Sequence, residues 1–253
     1  MDERGARRSD QAAGLRRLFG VARARLAPIP VDPGRTPAQV ASIVRLAQAC
    51  ARSGQHTLVL DCTRAQIAAS LGLRARFDLL HALRRECSLE QVRLDAGPEL
   101  SVVPAARAAP RARGAEVQFM TALAALAQGP CAADLVLMVM EPAHAPLLHA
   151  MGRGEVVAFV PRQRAAWSGM LRALANLADG PDIAGFRLLF PGWDADTAAR
   201  LFRELAQACA DRLAIELRFG GAARLAPDWL RVARSMSEWE LPRLQRPQTT
   251  RTF

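Results

Sequence analysis

The sequence predicts an α/β fold of the doubly wound type, in which a mostly parallel sheet carries helices on both faces. Short, continuous apolar runs such as 57–61 and 135–140 are typical of buried parallel strands. Segments with helical spacing of apolar residues, such as 37–51 and 194–210, separate these runs. The 253 residues are 51% hydrophobic, which is enough for one large domain with a sizeable core.

The same patterns place the remaining elements in order along a single domain, residues 25–238. The first strand, Arg25–Val31, contains Pro28 and Pro30 and is therefore predicted to be irregular or an edge. Further strands are predicted at 100–103, 155–160, 186–190 and 213–217, and further helices at 64–71, 76–85, 115–128, 163–178 and 225–235. Residues 1–24 form an N-terminal extension with a helix over 11–19, and residues 239–253 form a loose tail.

Composition excludes several classes of chemistry. The chain has 34 basic residues and a net charge of +10 but no lysine, so no lysine can serve a phosphate-binding loop or a Schiff base. Its five cysteines are scattered, which argues against a disulfide framework and a zinc site. No apolar run approaches 18 residues and no apolar leader segment opens the sequence, so we expect a cytoplasmic protein.

Residues 54–106 contain an ordered series of motifs. Gly54-Gln-His-Thr-Leu-Val-Leu-Asp61 is followed by Leu71-Gly72-Leu73, by Ser88-Leu89 and by Leu100-Ser-Val-Val-Pro-Ala-Ala106. This series resembles the deviant-Walker ATPases of the MinD/ParA type, especially their flagellar branch, FlhG (also called FleN or YlxH). The resemblance spans about residues 25–235. It implies a MinD-like P-loop NTPase fold, with ATP and magnesium as the cofactors of the family.

A second motif, Asp10-Gln-Ala-Ala-Gly-Leu-Arg16, precedes that domain. FlhG proteins carry a D-Q-A-x-x-L-R helix there, which docks on the signal-recognition-type GTPase FlhF and stimulates GTP hydrolysis. The match comprises Asp10, Gln11, Ala12, Leu15 and Arg16. The resemblance implies an FlhF-like GTPase as the partner, with Gln11 orienting the attacking water. These residues are also compatible with a surface leader helix whose Leu15 packs on the protein's own body.

The phosphate-binding segment of the family falls on residues 32–40 and is predicted to be degenerate. The P-loop lysine becomes Gln39, the hydroxyl residue after it becomes Val40, and the second signature lysine becomes Gly34. Two prolines within the segment remove amide donors that would otherwise surround the phosphates. We therefore expect no tight binding of Mg-ATP and no ATP hydrolysis.

The acidic residues of the family are altered as well. Asp61 is retained at a strand end, but the switch aspartate two positions later is Thr63. In the family, the strand that corresponds to 135–140 ends in an acidic residue, but here Met140 stands at that position. The nearest acid, Glu141, is displaced by one position, toward the opposite face. Asp61 is either a remnant of a metal site or the cap of the following helix. We expect no metal and no bound cofactor.

Taken with the resemblance, these observations predict an FlhG-like pseudo-ATPase that controls flagellar number or placement by stimulating an FlhF-like GTPase. Basal-body components or a flagellar transcription regulator are further candidate partners, and partners could place the protein at the flagellated pole or membrane periphery. One alternative is an active MinD-like ATPase that uses Arg35 for the phosphates. Another is an arginine-rich binder of nucleic acid or acidic membranes. The positive charge is diffuse, so we expect no specific nucleic acid and little membrane contact.

Overall fold

The computed structural model describes residues 24–31, 37–64, 67–129, 132–178, 182–212 and 216–244. The motif at Asp10–Arg16, the predicted helix 11–19, Gly34 and Arg35 lie outside these residues. The strands of the described chain are β1 (Arg25–Pro30), β2 (Thr57–Asp61), β3 (Leu94–Asp95), β4 (Leu100–Pro104), β5 (Leu135–Met140), β6 (Gly154–Phe159), β7 (Ile183–Pro191) and β8 (Leu217–Ala223).

Helices connect most of these strands, and three short ones lie between β2 and β3. The helices are α1 (Pro37–Arg52), α2 (Ile67–Ser70), α3 (Leu79–Leu83), α4 (Leu89–Val92), α5 (Glu116–Gln128), α6 (Ala145–His149), α7 (Trp167–Ala178), α8 (Ala195–Arg212) and α9 (Ala226–Ser235). Short 3₁₀ turns precede α6 and α7 and follow α9. None of the helices in the described part of the chain is both long and apolar enough to cross a bilayer.

The strands form two hydrogen-bonded groups that lie side by side. The first group has the order β1-β5-β2-β4-β3, parallel except for the antiparallel β3. The second group, β6-β7-β8, is entirely parallel. Strand β6 contacts β1, so the two groups continue one another across the molecule. This mostly parallel sheet with helices on both faces confirms the predicted fold class.

Apolar side chains cover both faces of the sheet. Along β2, Leu58 and Leu60 belong to a core cluster that includes Phe119 of α5, whereas Val59 belongs to a second cluster that includes Trp229 of α9. Successive side chains of a strand point to opposite faces, so a strand that is buried on both faces must be apolar throughout. This is why the continuous apolar runs identified the buried strands correctly.

Two prolines interrupt the hydrogen bonding between β1 and β6. The amide of Arg25 donates to the carbonyl of Asp134, just before β5, at 3.0 Å, and the amide of Val31 donates to Met140 at 2.8 Å, so odd-numbered amides along β1 face β5. The amide of Leu26 faces the other way. Pro28 and Pro30 also face that way but have no N–H, so β1 cannot donate to β6 at these positions. Of the two expectations for this strand, irregular or an edge, the second is confirmed: β1 pairs with β5 in a regular register and is the terminal strand of its hydrogen-bonded group, although it also contacts β6.

The sequence predicts a loose tail from residue 239, but the structure packs residues 239–244 against the start of β1. The carbonyl oxygen of Pro242 accepts from the amide of Leu26 at 2.8 Å, and the amide of Leu244 donates to the carbonyl of Ala24 at 2.9 Å. The indole of Trp239 is buried as well. Proline prevents a helix here, but an extended segment can still pair with a strand through its remaining backbone groups.

The last predicted strand is displaced toward the C-terminus. The sequence places it at 213–217, of which 213–215 lie outside the described residues, and β8 spans Leu217–Ala223 and contains Gly220 and Gly221. A Cβ atom at Gly220 would lie 2.9 Å from the carbonyl oxygen of Leu188. Glycine therefore permits a close approach to β7 at this position, although glycines disfavour a strand when sequence alone is considered.

Several helix boundaries also differ from the prediction. The helix expected at 64–71 is the single turn α2, and the helix expected at 76–85 is the short α3. Helix α3 begins after Asp78, whose Oδ1 accepts from the amide of Leu80 at 2.9 Å. The short elements β3, α4 and α6 have no distinctive periodicity in the sequence, because each is too short to show one.

Candidate functional site

The described residues of the candidate nucleotide site gather at the carboxyl ends of β1, β2 and β5. Asp61 is the last residue of β2, and Met140 is the last residue of β5. The parallel pairing aligns Asp61 with Val139, so these two strands end at the same edge. Ligands of open α/β sheets bind in the crevice beyond this edge. The topology thus brings Asp61 and Met140 to the expected place.

Helix α1 brings two more of the predicted residues to this edge. Gln39 and Val40 lie in its first turn and are half-buried. Where the resemblance implies a lysine and a hydroxyl, the helix therefore presents a carboxamide and an alkyl side chain. Neither group carries a positive charge for phosphates or a hydroxyl oxygen for magnesium.

Asp61 holds the turn that follows β2. Its carboxylate is 5% exposed, and its Oδ1 accepts from the amide and hydroxyl of Thr63 at 3.0 and 2.8 Å. Its Oδ2 accepts from the amide of Ile67, the first residue of α2, at 3.2 Å. Of the two roles considered for Asp61, the hydrogen bonds match that of a helix-capping residue. They direct both carboxylate oxygens toward the protein's own backbone.

Met140 is completely buried at the end of β5. Its side chain lies in the same apolar cluster as Met138 and Leu26, and its carbonyl oxygen accepts from the amide of Val31 at 2.8 Å. A thioether in an apolar cluster is a poor ligand for a hard cation such as magnesium. The position implied for a magnesium-associated carboxylate is therefore part of the hydrophobic core.

Glu141 begins the turn after β5 and is half-buried. Its amide lies 3.4 Å from Nδ1 of His144, and its carbonyl oxygen accepts from the amide of His144 at 2.9 Å. Burial lowers the pKa of His144, and the charge of Glu141 opposes this shift only in part. The two residues form a local turn whose imidazole is held mainly in its neutral form at pH 7.

These residues do not fit a magnesium–nucleotide complex. Among the described residues, no group of three or more histidine, cysteine, aspartate or glutamate side chains is placed to hold a metal ion. The retained carboxylate, Asp61, already accepts three hydrogen bonds. Magnesium in nucleotide sites is bound by one or two carboxylates together with the phosphates.

In the segment after β6, two arginines form cation–π contacts with tryptophan rings. Arg162 lies over Trp193, with its Cζ 5.3 Å from the ring centroid, and Arg164 lies over Trp167 at 5.1 Å. The indole of Trp167 donates to the carbonyl of Pro161 at 2.8 Å. These pairs could not be predicted from the sequence. The only signal was an arginine-rich turn directly after an apolar strand.

A buried charge network lies at the amino ends of β6 and β8, opposite the carboxyl ends of the strands that form the candidate site. Glu155 is fully buried and accepts two hydrogen bonds from Arg187, at 2.8 and 2.6 Å, and a third from Arg218 at 2.7 Å. Glu240, Glu216 and Glu155 together raise the pKa of Arg218 well above its usual range. Because Glu240 belongs to the C-terminal segment, the network joins that segment to the sheet. The lone acid in an apolar strand was its only sequence signal.

Comparisons with known proteins address the fold. No family model and no curated protein sequence matches the chain. Among solved structures, it is similar to MinD of Aquifex aeolicus in complex with MinC, with a TM-score of 0.62, 12% identity, and coverage of 87% of this chain and 98% of that one.

Two further structures show the same similarity. Cobyrinic acid a,c-diamide synthase of Mycobacterium smegmatis, bound to an ATP analogue and magnesium, has a TM-score of 0.60 at 17% identity and covers 88% and 100% of the two chains. A plasmid partition protein of Borrelia burgdorferi bound to AMPPNP has a TM-score of 0.58 at 10% identity, covering 85% and 99%. At such identities the similarity extends to the fold alone: the chain has the fold of the MinD-type P-loop ATPases.

Proposed function

We propose that this chain is an FlhG-like regulator of flagellar number or placement, which stimulates an FlhF-like GTPase without hydrolysing ATP. The observation that carries the proposal is the buried side chain of Met140, where the resemblance implies a carboxylate. A fully buried thioether can neither bind a hard cation nor activate a water molecule.

The surroundings of Met140 support the same conclusion. The carboxylate of Asp61 accepts hydrogen bonds from Thr63 and from the amide of Ile67 at the start of α2. Gln39 and Val40 stand where the resemblance implies a cation and a hydroxyl. A single loss could be compensated by a neighbouring group, but the family's lysine, hydroxyl and switch-acid positions are all changed together, and these positions supply groups that phosphoryl transfer uses.

The activity assigned to the N-terminal extension rests on its sequence. The match at Asp10, Gln11, Ala12, Leu15 and Arg16 stands directly ahead of a chain with the MinD fold. In the proposal, the helix docks on the partner and Gln11 positions the attacking water in the partner's GTP site. The MinD-like domain then serves as the carrier of this helix.

GTP turnover of the FlhF from the same organism tests the proposal directly. Addition of the full chain should raise the rate at least tenfold, and Gln11→Ala should abolish the increase. Gln39→Ala is the matched control: it removes a glutamine from the candidate nucleotide site and should leave the stimulation intact. A wild-type chain that leaves GTP turnover unchanged rejects the proposal.

Calorimetry separates the proposal from the alternative of an active ATPase. We expect no heat of binding when Mg-ATP is titrated into the full chain at millimolar concentration. Micromolar binding, or dimerisation that depends on ATP, would instead favour an unconventional ATPase that uses Arg35. Arg35→Ala would then abolish that binding.

A further inference from the structure

A small apolar cleft opens between α3, the turn that follows β4, and the start of α5. Its volume is 140 Å³, and its lining includes Leu80, Leu83, Ala108, Ala112 and Phe119. The two alanines are too short to fill the space between the helices. Pockets for small-molecule ligands usually exceed about 300 Å³. This cleft is therefore too small for a cofactor but suits a single large apolar side chain of a protein partner.

Two exposed arginines, Arg84 and Arg111, line the cleft. Two more exposed arginines are neighbours of lining residues in the chain: Arg85 follows Arg84, and Arg107 precedes Ala108. Arg84 forms a long ion pair of 3.8 Å with Glu86. The other three guanidinium groups make no ion pair with any residue that the structure describes. The cleft thus combines an apolar floor with unpaired positive charge.

We propose that this cleft is a docking site for an acidic, amphipathic segment of a partner protein. One large apolar side chain of that segment fills the cleft, and its flanking carboxylates pair with the arginines, which bind carboxylates in bidentate fashion. A nucleic acid fits less well, because the aromatic ring at the cleft, Phe119, is buried and cannot stack on bases. The site shares no residue with the candidate nucleotide site and does not depend on the proposed function.

Selection from a library of displayed 12-residue peptides on the full chain tests the proposal. The chain offers two variants that should fold, since both positions are exposed: Gln118→Trp covers the cleft and Arg111→Glu reverses its charge. Their matched controls are Ala125→Trp, two turns further along α5, and Arg172→Glu on α7, both also exposed. Selected peptides are synthesised, and their affinity is measured by fluorescence anisotropy.

We expect enriched peptides that carry at least two acidic residues around one leucine, methionine, phenylalanine or tryptophan. Their affinity should fall at least tenfold with Gln118→Trp or Arg111→Glu and stay within twofold in both controls. Replacement of the apolar anchor by serine should abolish binding. The proposal is overturned if no such peptide is enriched, if the two cleft variants bind as tightly as the wild type, or if the serine peptide binds equally well and charge alone is recognised.

Discussion

The carbonyl oxygen of Pro242 accepts a hydrogen bond of 2.8 Å from the amide of Leu26, which joins the C-terminal segment to the first strand of the sheet. The ring of Pro242 rests on Gly154, the first residue of β6. The segment therefore contacts both strands where they begin. Trp239 reinforces this contact, since the guanidinium of Arg187 lies 5.1 Å from the centroid of its ring.

Substitution of Gly154 by alanine should displace this segment. The added Cβ would lie 2.5 Å from Cγ and 2.6 Å from the nitrogen of Pro242, closer than any packed contact allows. We expect a loss of about 1–3 kcal/mol in the free energy of unfolding, as for other overpacked sites, measured in urea. Gly169→Ala is the control, because no neighbour lies within 4 Å of its added Cβ and helix α7 should become no less stable. Equal stability of the two variants would contradict the packing described for Pro242.

Replacement of Glu155 by glutamine should destabilise the chain more strongly. The change leaves the guanidinium groups of Arg187 and Arg218 without their shared buried carboxylate. Breaking a buried ion pair in this way costs about 3 kcal/mol. Thermal unfolding measures the effect. The control is Glu204→Gln in the exposed pair with Arg164, where less than about 1 kcal/mol is expected. A similar shift in both variants would show that the buried network adds nothing specific.

Strands buried on both faces could be predicted from the sequence, because every residue of such a strand must be apolar and the run is visible within the strand itself. The segments 57–61 and 135–140 are found as β2 and β5 with these bounds. Strand β8 could not be predicted, because its glycines are explained by the close approach of β7. The packing of Pro242 was missed for a similar reason: its partners lie more than 80 residues away in sequence.

In the candidate site, too, features set by neighbouring residues could be predicted, and contacts between distant segments could not. An aspartate at a strand end, followed by a helix, already suggested a cap, and Asp61 makes the expected bonds. The network around Glu155 could not be anticipated, because three separate strands contribute to it and a single acid in an apolar run does not identify its partners. Local chemistry was therefore predictable, whereas contacts between distant segments required the fold.

Stability should fall as the pH decreases through the titration of His144. Burial lowers the pKa of this imidazole in the folded chain, so the unfolded chain takes up a proton more readily. The contribution of His144 is thus fully present above its ordinary pKa of about 6.5 and is lost as the pH falls from there toward the lowered folded value. His144→Asn keeps an acceptor near the amide of Glu141 but does not titrate. Urea unfolding at pH 7.5 and 5.5 should show a smaller decrease for the variant; an equal decrease would assign the effect to other groups.

Substitution of Asp61 by asparagine distinguishes a structural carboxylate from a magnesium ligand. Asparagine keeps one acceptor for Thr63 but turns an NH₂ group toward the amide of Ile67, so the cap of α2 is lost. The free energy of unfolding should decrease by about 1–2 kcal/mol, as for other lost caps and unsatisfied buried groups. Stimulation of FlhF-like GTP turnover should stay within twofold of the wild type.

Asp95→Asn is the control, since the exposed Asp95 needs only one oxygen for the amide of Gly97 and should lose less than about 0.5 kcal/mol. If the wild type bound Mg-ATP and Asp61→Asn abolished that binding at unchanged stability, the carboxylate would be a magnesium ligand and the pseudo-ATPase proposal would fail.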